Sequence, residues 1–329
     1  MIPESKQQAV KRALLSAFGT DESESISLLT GGLSSALVYK IGVAGKSCLL
    51  RLVMRRDAFN DPARQYACMK LAADAGLAPR VWYSDAEDAV AITDFVEAQP
   101  LPIDTILPGL AALIKRVHAL PCFPRLVDYM DGVDMFIQQF HVSGLLPAEA
   151  TAKHFGYYRE IQRVYPRHQT DLVSSHNDLN PNNILFDGER LWLIDWEASF
   201  ANDRYVDLAN AANSFVHNRE QEDVFLQAYF DEPVSDDIRA RFFLSRQVCH
   251  MFYATCFLRL AAASKPAATV ADADMTAPEL RSFFGLLKNG QVSLGSYEGQ
   301  LLYAKVLLKE MLRMMELPRF AESLKRMSQ

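Results

Sequence analysis

The chain reads as an α+β protein of two lobes, a small strand-rich N-terminal lobe and a large, mainly helical C-terminal lobe. Two observations predict this. Between residues 25 and 95, short apolar runs are broken by Gly31-Gly32, Ala44-Gly45-Lys46 and the acidic turn Asp85–Asp88. Beyond Pro100, helical periodicity takes over almost to the C-terminus. The 329 residues are 50% hydrophobic, enough for a sizeable core in each lobe.

In order, residues 4–18 predict an amphipathic helix with Ala9, Val10, Ala13, Leu14 and Ala17 on one face and Gly19 as its stop. Strands follow at 25–30, 33–43 and 48–54, then a helix over 61–75 ended by Gly76 and Pro79. A second hairpin joins 81–83 to 89–95. The lobe boundary falls at 96–102, dividing the chain into residues 1–97 and 98–329. Helices are predicted at 103–119, 128–143, 147–165, 203–217, 219–230, 235–263, 276–289, 296–316 and 318–327, with 264–275 as a loop. A short hairpin, 184–186 with 191–194, turns at Asp187-Gly188.

The net charge of −6 disfavours nucleic acid as a partner. Five cysteines, an odd count without C-x-x-C spacing, read as reduced core thiols and not as a disulfide framework or zinc site. No basic-then-apolar leader and no membrane-length apolar run is present, so a cytoplasmic protein without membrane partners is expected. Oligomeric state is not legible. The amphipathic segment 301–327 reads as a helix packed on its own lobe.

The chemistry lies in residues 174–197, Ser-Ser-His-Asn-Asp-Leu-Asn-Pro-Asn-Asn-Ile-Leu-Phe-Asp-Gly-Glu-Arg-Leu-Trp-Leu-Ile-Asp-Trp-Glu. His176, Asp178 and Asn183 form a His-x-Asp-x-x-x-x-Asn run, and Asp195 stands twelve residues past Asn183. Phosphoryl transfer needs a carboxylate to receive a hydroxyl proton, and hard oxygens to hold magnesium. Asp178 fits the first role. Asn183 and Asp195 sit at the outer ends of one hairpin, where they can share a cation. Glu197 has two readings, a ligand to a second magnesium or a contact for a cationic substrate. His176 and Asp207 are expected to be structural supports of the loop.

Phosphate-holding candidates are the Gly32 backbone with the Ser34 and Ser35 hydroxyls, in Thr-Gly-Gly-Leu-Ser-Ser between two strands. Arg51, a charge inside the apolar strand Cys-Leu-Leu-Arg-Leu, needs a partner that nucleotide phosphates would provide. Backbone groups from Asp94 to Val96 are placed to meet an adenine edge. In the aromatic-rich helix 241–260, Arg246 and His250 share a face with Tyr253. If that face meets the substrate, Arg246 disfavours a cationic acceptor and suits an anionic or sugar-like one.

At His-Asn-Asp-Leu-Asn-Pro-Asn-Asn-Ile-Leu and Leu-Ile-Asp-Trp-Glu, followed by Asn-Asp-x-x-x-Val-Asp-Leu-Ala, the sequence resembles the choline/ethanolamine kinase and aminoglycoside phosphotransferase superfamily, most closely its bacterial choline-kinase branch. The likeness runs through most of residues 25–260. It implies a protein-kinase-like fold and ATP- and magnesium-dependent phosphorylation of a small-molecule hydroxyl. It makes Asp178 the base, Asn183 and Asp195 the magnesium ligands, Arg51 the phosphate-facing cation and 94–96 the adenine hinge. Choline or ethanolamine is the leading acceptor. Another small alcohol, a sugar, an aminoglycoside-like compound, or a pseudokinase without turnover are the alternatives. One departure is Gln65, where family members usually carry glutamate.

Overall fold

The computed structural model describes residues 2–29, 36–168, 171–266 and 273–329. In chain order they form α1 (Glu4–Phe18), β1 (Ser25–Leu29), β2 (Leu37–Val43), β3 (Lys46–Leu52), α2 (Pro62–Asp74), β4 (Val81–Asp85) and β5 (Val90–Asp94). Then come α3 (Ile106–His118), α4 (Tyr129–Ser143), α5 (Ala148–Val164), β6 (Val173–Ser175), β7 (Ile184–Phe186), β8 (Leu191–Leu193) and β9 (Phe200–Asn202). Helices α6 (Arg204–Phe215), α7 (Arg219–Phe230), α8 (Asp236–Ser264), α9 (Leu280–Lys288), α10 (Tyr297–Met315) and α11 (Pro318–Met327) complete the chain. No helix among the described residues is long and apolar enough to cross a membrane.

Two compact units result. The first comprises Met1–Leu126 and Asp171–Glu232, the second Val127–Thr170 and Pro233–Gln329. The expected lobe boundary at 96–102 lies inside the first unit, because the residues around the catalytic motif group with the N-terminal sheet.

The first unit is built on an antiparallel sheet in the order β1-β2-β3-β5-β4. Period-two alternation sorts its residues by face. Tyr39, Ile41 and Val43 of β2 and Cys48, Leu50 and Leu52 of β3 bury against Ala9, Val10, Ala13 and Leu14 of α1. Arg51, between Leu50 and Leu52, therefore points to the opposite face. The β2–β3 turn is tighter than expected. Ala44 (φ 48°) and Gly45 (φ 70°) are both left-handed, so Val43 pairs directly with Lys46. Helix α2 starts on an Asp61 cap, whose side chain accepts from the Ala63 amide, with Pro62 at the first helical position.

The second unit is helical around a main core, with a smaller cluster at Ala277, Phe283 and Val306. Phe243, Leu244, Met251 and Leu258 of α8 meet Leu301, Leu307, Leu308 and Met311 of α10, and Phe320 of α11 joins them. The C-terminal helices thus pack on their own unit. Helix α9 begins at Leu280, four residues later than expected, since Pro278 disfavours helical backbone at Ala277. The strands β6 and β9, which pair antiparallel, were not legible in the sequence. At three residues each they are too short for an alternation signal, and no tight turn like Asp187-Gly188 of the β7–β8 hairpin marks them.

Candidate active site

The motif residues sit on a loop that buried groups hold from behind. Asp207, on α6 and wholly buried, accepts the His176 amide at 2.8 Å and the Asn177 amide at 2.6 Å. His118 of α3 reaches the same carboxylate through Nε2 at 3.1 Å, and its Nδ1 meets the Tyr229 hydroxyl at 2.6 Å. Burial by itself would raise the Asp207 pKa. The hydrogen bond and charge of His118 and the His176 amide outweigh burial and hold it below the ordinary carboxylate value.

Asn177 takes a left-handed conformation, φ 64°, that asparagine tolerates. Its side chain donates to the Ala198 carbonyl (3.0 Å) and accepts from Asn202 (2.8 Å), while Asn210 donates to its backbone carbonyl (2.9 Å). Sequence reasoning missed this amide network. Its only signal was the run of asparagines around the motif.

Asp207→Ala would strand two buried amides and His118, and is expected to cost about 3–5 kcal/mol of stability. The sign with pH follows from the depressed pKa. The contribution is fully present above the unfolded-state pKa and is lost as pH falls through the folded-state value. Thermal unfolding of wild type and variant should therefore converge at acidic pH, and a gap independent of pH would refute the assignment.

His176 has a supporting role. Its Nε2–H donates to the Ile194 carbonyl at 2.9 Å, its ring packs edge-on to Trp196 (centroids 4.8 Å apart), and its Nδ1 is buried without a hydrogen-bond partner. Neither nitrogen is presented to a reacting group.

The loop carries Asp178 forward to a single 3-10 turn, Pro181–Asn183, capped by the Asn180 side chain. Asn183 closes back on Asp178, with Nδ2 donating to the Asp178 carboxylate at 2.8 Å and to its backbone carbonyl at 2.9 Å. Both partners are acceptors, so the amide NH₂ must face them and the Asn183 Oδ1 faces away. The β7–β8 hairpin then brings Asp195 round. Ile194 donates its amide to the Asn183 carbonyl at 3.0 Å, so Asp195 follows directly on the residue paired with Asn183. At the far end, the Arg190 and Glu189 amides and the Trp192 indole hold the Asp187 carboxyl at about 2, which fixes the turn.

Asp195 adopts φ 64°, a left-handed position. Its Oδ1 lies 3.0 Å from Arg51 Nη1, an ion pair, yet is buried without a directed hydrogen bond. Glu197 Oε2 meets Arg51 Nη2 at 2.5 Å. Burial works against the Arg51 charge, but the two carboxylates outweigh it and raise its pKa. The structure thus brings together Asp178 with Asn183, and Arg51 with Asp195 and Glu197.

This donor set fits a magnesium ion. Asn183 offers an amide oxygen turned away from Asp178, and Asp195 offers a buried carboxylate oxygen that no hydrogen bond satisfies. Both are hard ligands, of the kind and number magnesium takes from protein.

Gly32, Ser34 and Ser35 lie outside the described residues. The Asp94 amide donates to Arg80 O (2.9 Å) and that of Phe95 to Ser47 O (3.1 Å), while the Asp94 carboxylate accepts from the Trp82 indole at 2.6 Å. Val96 follows these two, beyond the last residue of β5. Gln65 is buried on α2. Arg246 and Tyr253 belong to α8 in the second unit. There Tyr253 packs edge-on to Phe252 and the Arg246 guanidinium lies 5.8 Å from the Phe242 ring centroid. His250, on the same face, is buried, and burial pushes its pKa down to about 4.

The sequence pattern of the phosphotransferase enzyme family matches residues 25–242. The chain belongs to this family. As a phosphotransferase it is a small-molecule kinase, and kinases of the family use ATP. Its fold is that of a choline/ethanolamine kinase family protein from Mesorhizobium loti, with a TM-score of 0.67 at 20% identity, covering 98% of this chain and 99% of the other. It is also similar to choline kinase LicA from Streptococcus pneumoniae, with a TM-score of 0.60 at 18% identity over 79% of this phosphotransferase and 92% of that chain. Protein LicA of Haemophilus influenzae is 39% identical over 78 residues, 24% of this chain. The match spans 27% of that relative's length. Other structures of this fold contain AMP or ADP.

Proposed function

We propose that this phosphotransferase moves the γ-phosphoryl group of ATP, with magnesium, to the hydroxyl of a small amino alcohol, choline or ethanolamine. The observation that carries the reading is the Asn183–Asp178 hydrogen bond at 2.8 Å, on a hairpin that returns Asp195 beside Asn183. One side chain thereby links the proton acceptor to the metal-holding pair.

In this reading Asp178 takes the proton of the acceptor hydroxyl as its oxygen bonds to the γ-phosphorus and the bond from that phosphorus to the β-phosphate oxygen breaks, releasing ADP. Asn183 Oδ1 and Asp195 hold magnesium, which neutralises phosphate charge when bound. Arg51 faces the phosphates, together with the Gly32 backbone and the Ser34 and Ser35 hydroxyls. Val96 meets the adenine edge through its backbone. Residues 1–97 hold the nucleotide, and 98–329 supply the catalytic and acceptor-binding groups.

The choice of acceptor is supported by the 39% identity to protein LicA and by the likeness to choline and ethanolamine kinase structures. A second reading comes from Arg246, whose charge on α8 favours an acceptor with an anionic or sugar-like group. ATP consumption measured across amino alcohols, sugars and aminoglycosides separates them. Turnover with choline or ethanolamine is expected. Turnover confined to sugars or aminoglycosides would replace the acceptor, and silence across the panel would favour a pseudokinase.

A further inference from the structure

The pairing of Arg51 leads further, on the basis of the phosphotransfer reading. Arg51 is a largely buried cation, its side chain 15% exposed, and such a charge needs a carboxylate near it. Helix α2 supplies none. Its one acidic residue, Asp74, pairs with Lys70 at 2.9 Å on the surface, and its buried position 65 is glutamine. Among the described residues, the carboxylates paired with Arg51 come instead from the segment Asp195–Glu197.

These two carboxylates are not equivalent. Glu197 makes a directed hydrogen bond to Nη2, whereas Asp195 Oδ1 sits at ion-pair distance without one. Asp195 is also the residue suited to the metal. Once it turns to a cation, Arg51 retains Glu197. The backbone behind Glu197 is fastened to α2 by Arg64. That buried guanidinium donates to the Ser199 carbonyl through Nη1 and to the Glu197 carbonyl through Nη2, at 3.1 Å for the latter.

We propose that Glu197 is a positioning residue, the standing counter-ion that aims Arg51 at the nucleotide phosphates, and that Arg64 holds the Glu197–Ser199 backbone in place for it. Glu197 is then neither a second metal ligand nor the contact for a cationic acceptor.

A double-mutant cycle tests this on the full chain. Glu197→Gln is expected to raise the KM for ATP about tenfold, the worth of one charge-assisted hydrogen bond. Its kcat, its acceptor KM and its half-saturating magnesium concentration should stay within about twofold of wild type. In an Arg51→Met background, the same change should add nothing, because the group it positions is gone. A raised magnesium requirement or acceptor KM in Glu197→Gln, or losses that add across the cycle, would overturn the proposal. Wild-type turnover tests the phosphotransfer reading separately. Should wild type be inactive, the cycle is read on ADP affinity by calorimetry. A loss that disappears with Arg51→Met still supports the role of Glu197, and an additive loss refutes it.

Discussion

Asp178→Asn is expected to bind ATP as wild type does and to lose about 10²–10⁴-fold in turnover. The reason is local. Asn183 Nδ2 donates to the Asp178 carboxylate and to its carbonyl, and an asparagine oxygen at position 178 can still accept the first of these bonds. The loop behind is held by Asp207, Asn202 and Asn210, none of which contacts the substituted carboxylate in these bonds. Geometry therefore persists while the proton acceptor is lost. Steady-state kinetics with calorimetric ATP binding check this. Full turnover in the variant would remove Asp178 from the role of base.

Asp195→Asn should abolish the strengthening of nucleotide binding by magnesium and lower turnover about 10²–10³-fold, as removal of a group that stabilises transition-state charge does. Asparagine is preferred to alanine here because position 195 is left-handed, φ 64°, which asparagine tolerates at little cost. ADP affinity without metal should change little, since Arg51 still has Glu197. The check is ADP binding with and without magnesium. A magnesium effect as large as in wild type would contradict the assignment.

The sequence carried the fold wherever periodicity was long. The helix ahead of Gly19, the hairpin across Asp85–Asp88 and the long helices beyond Pro100 all announce themselves by apolar spacing, and each is present. The three-residue strands β6 and β9 have no such signal and, unlike β7 and β8, no Asp-Gly turn joins them, so only pairing in three dimensions defines them. The candidate site was legible as spacing, because Asp178, Asn183 and Asp195 belong to one loop and one hairpin. What spacing could not reveal was where charges find partners. Arg51 suggested a phosphate. The structure gives it Asp195 and Glu197, from a segment some 145 residues away in sequence. Likewise, the amide network around Asn177 joins three separate stretches of chain through side chains of ordinary appearance.

In the proposed mechanism Asn183 and Asp195 direct oxygens at one divalent ion while Asp178 stands beside it. Crystals grown with Mn²⁺ and ADP test this directly, since anomalous scattering locates manganese without ambiguity. The expected result is a single dominant peak within ligand distance of Asn183 Oδ1 and the Asp195 carboxylate, bridged to the phosphates. A peak bound by neither residue, or Asp195 still paired with Arg51 beside a fully occupied nucleotide–manganese complex, would contradict it.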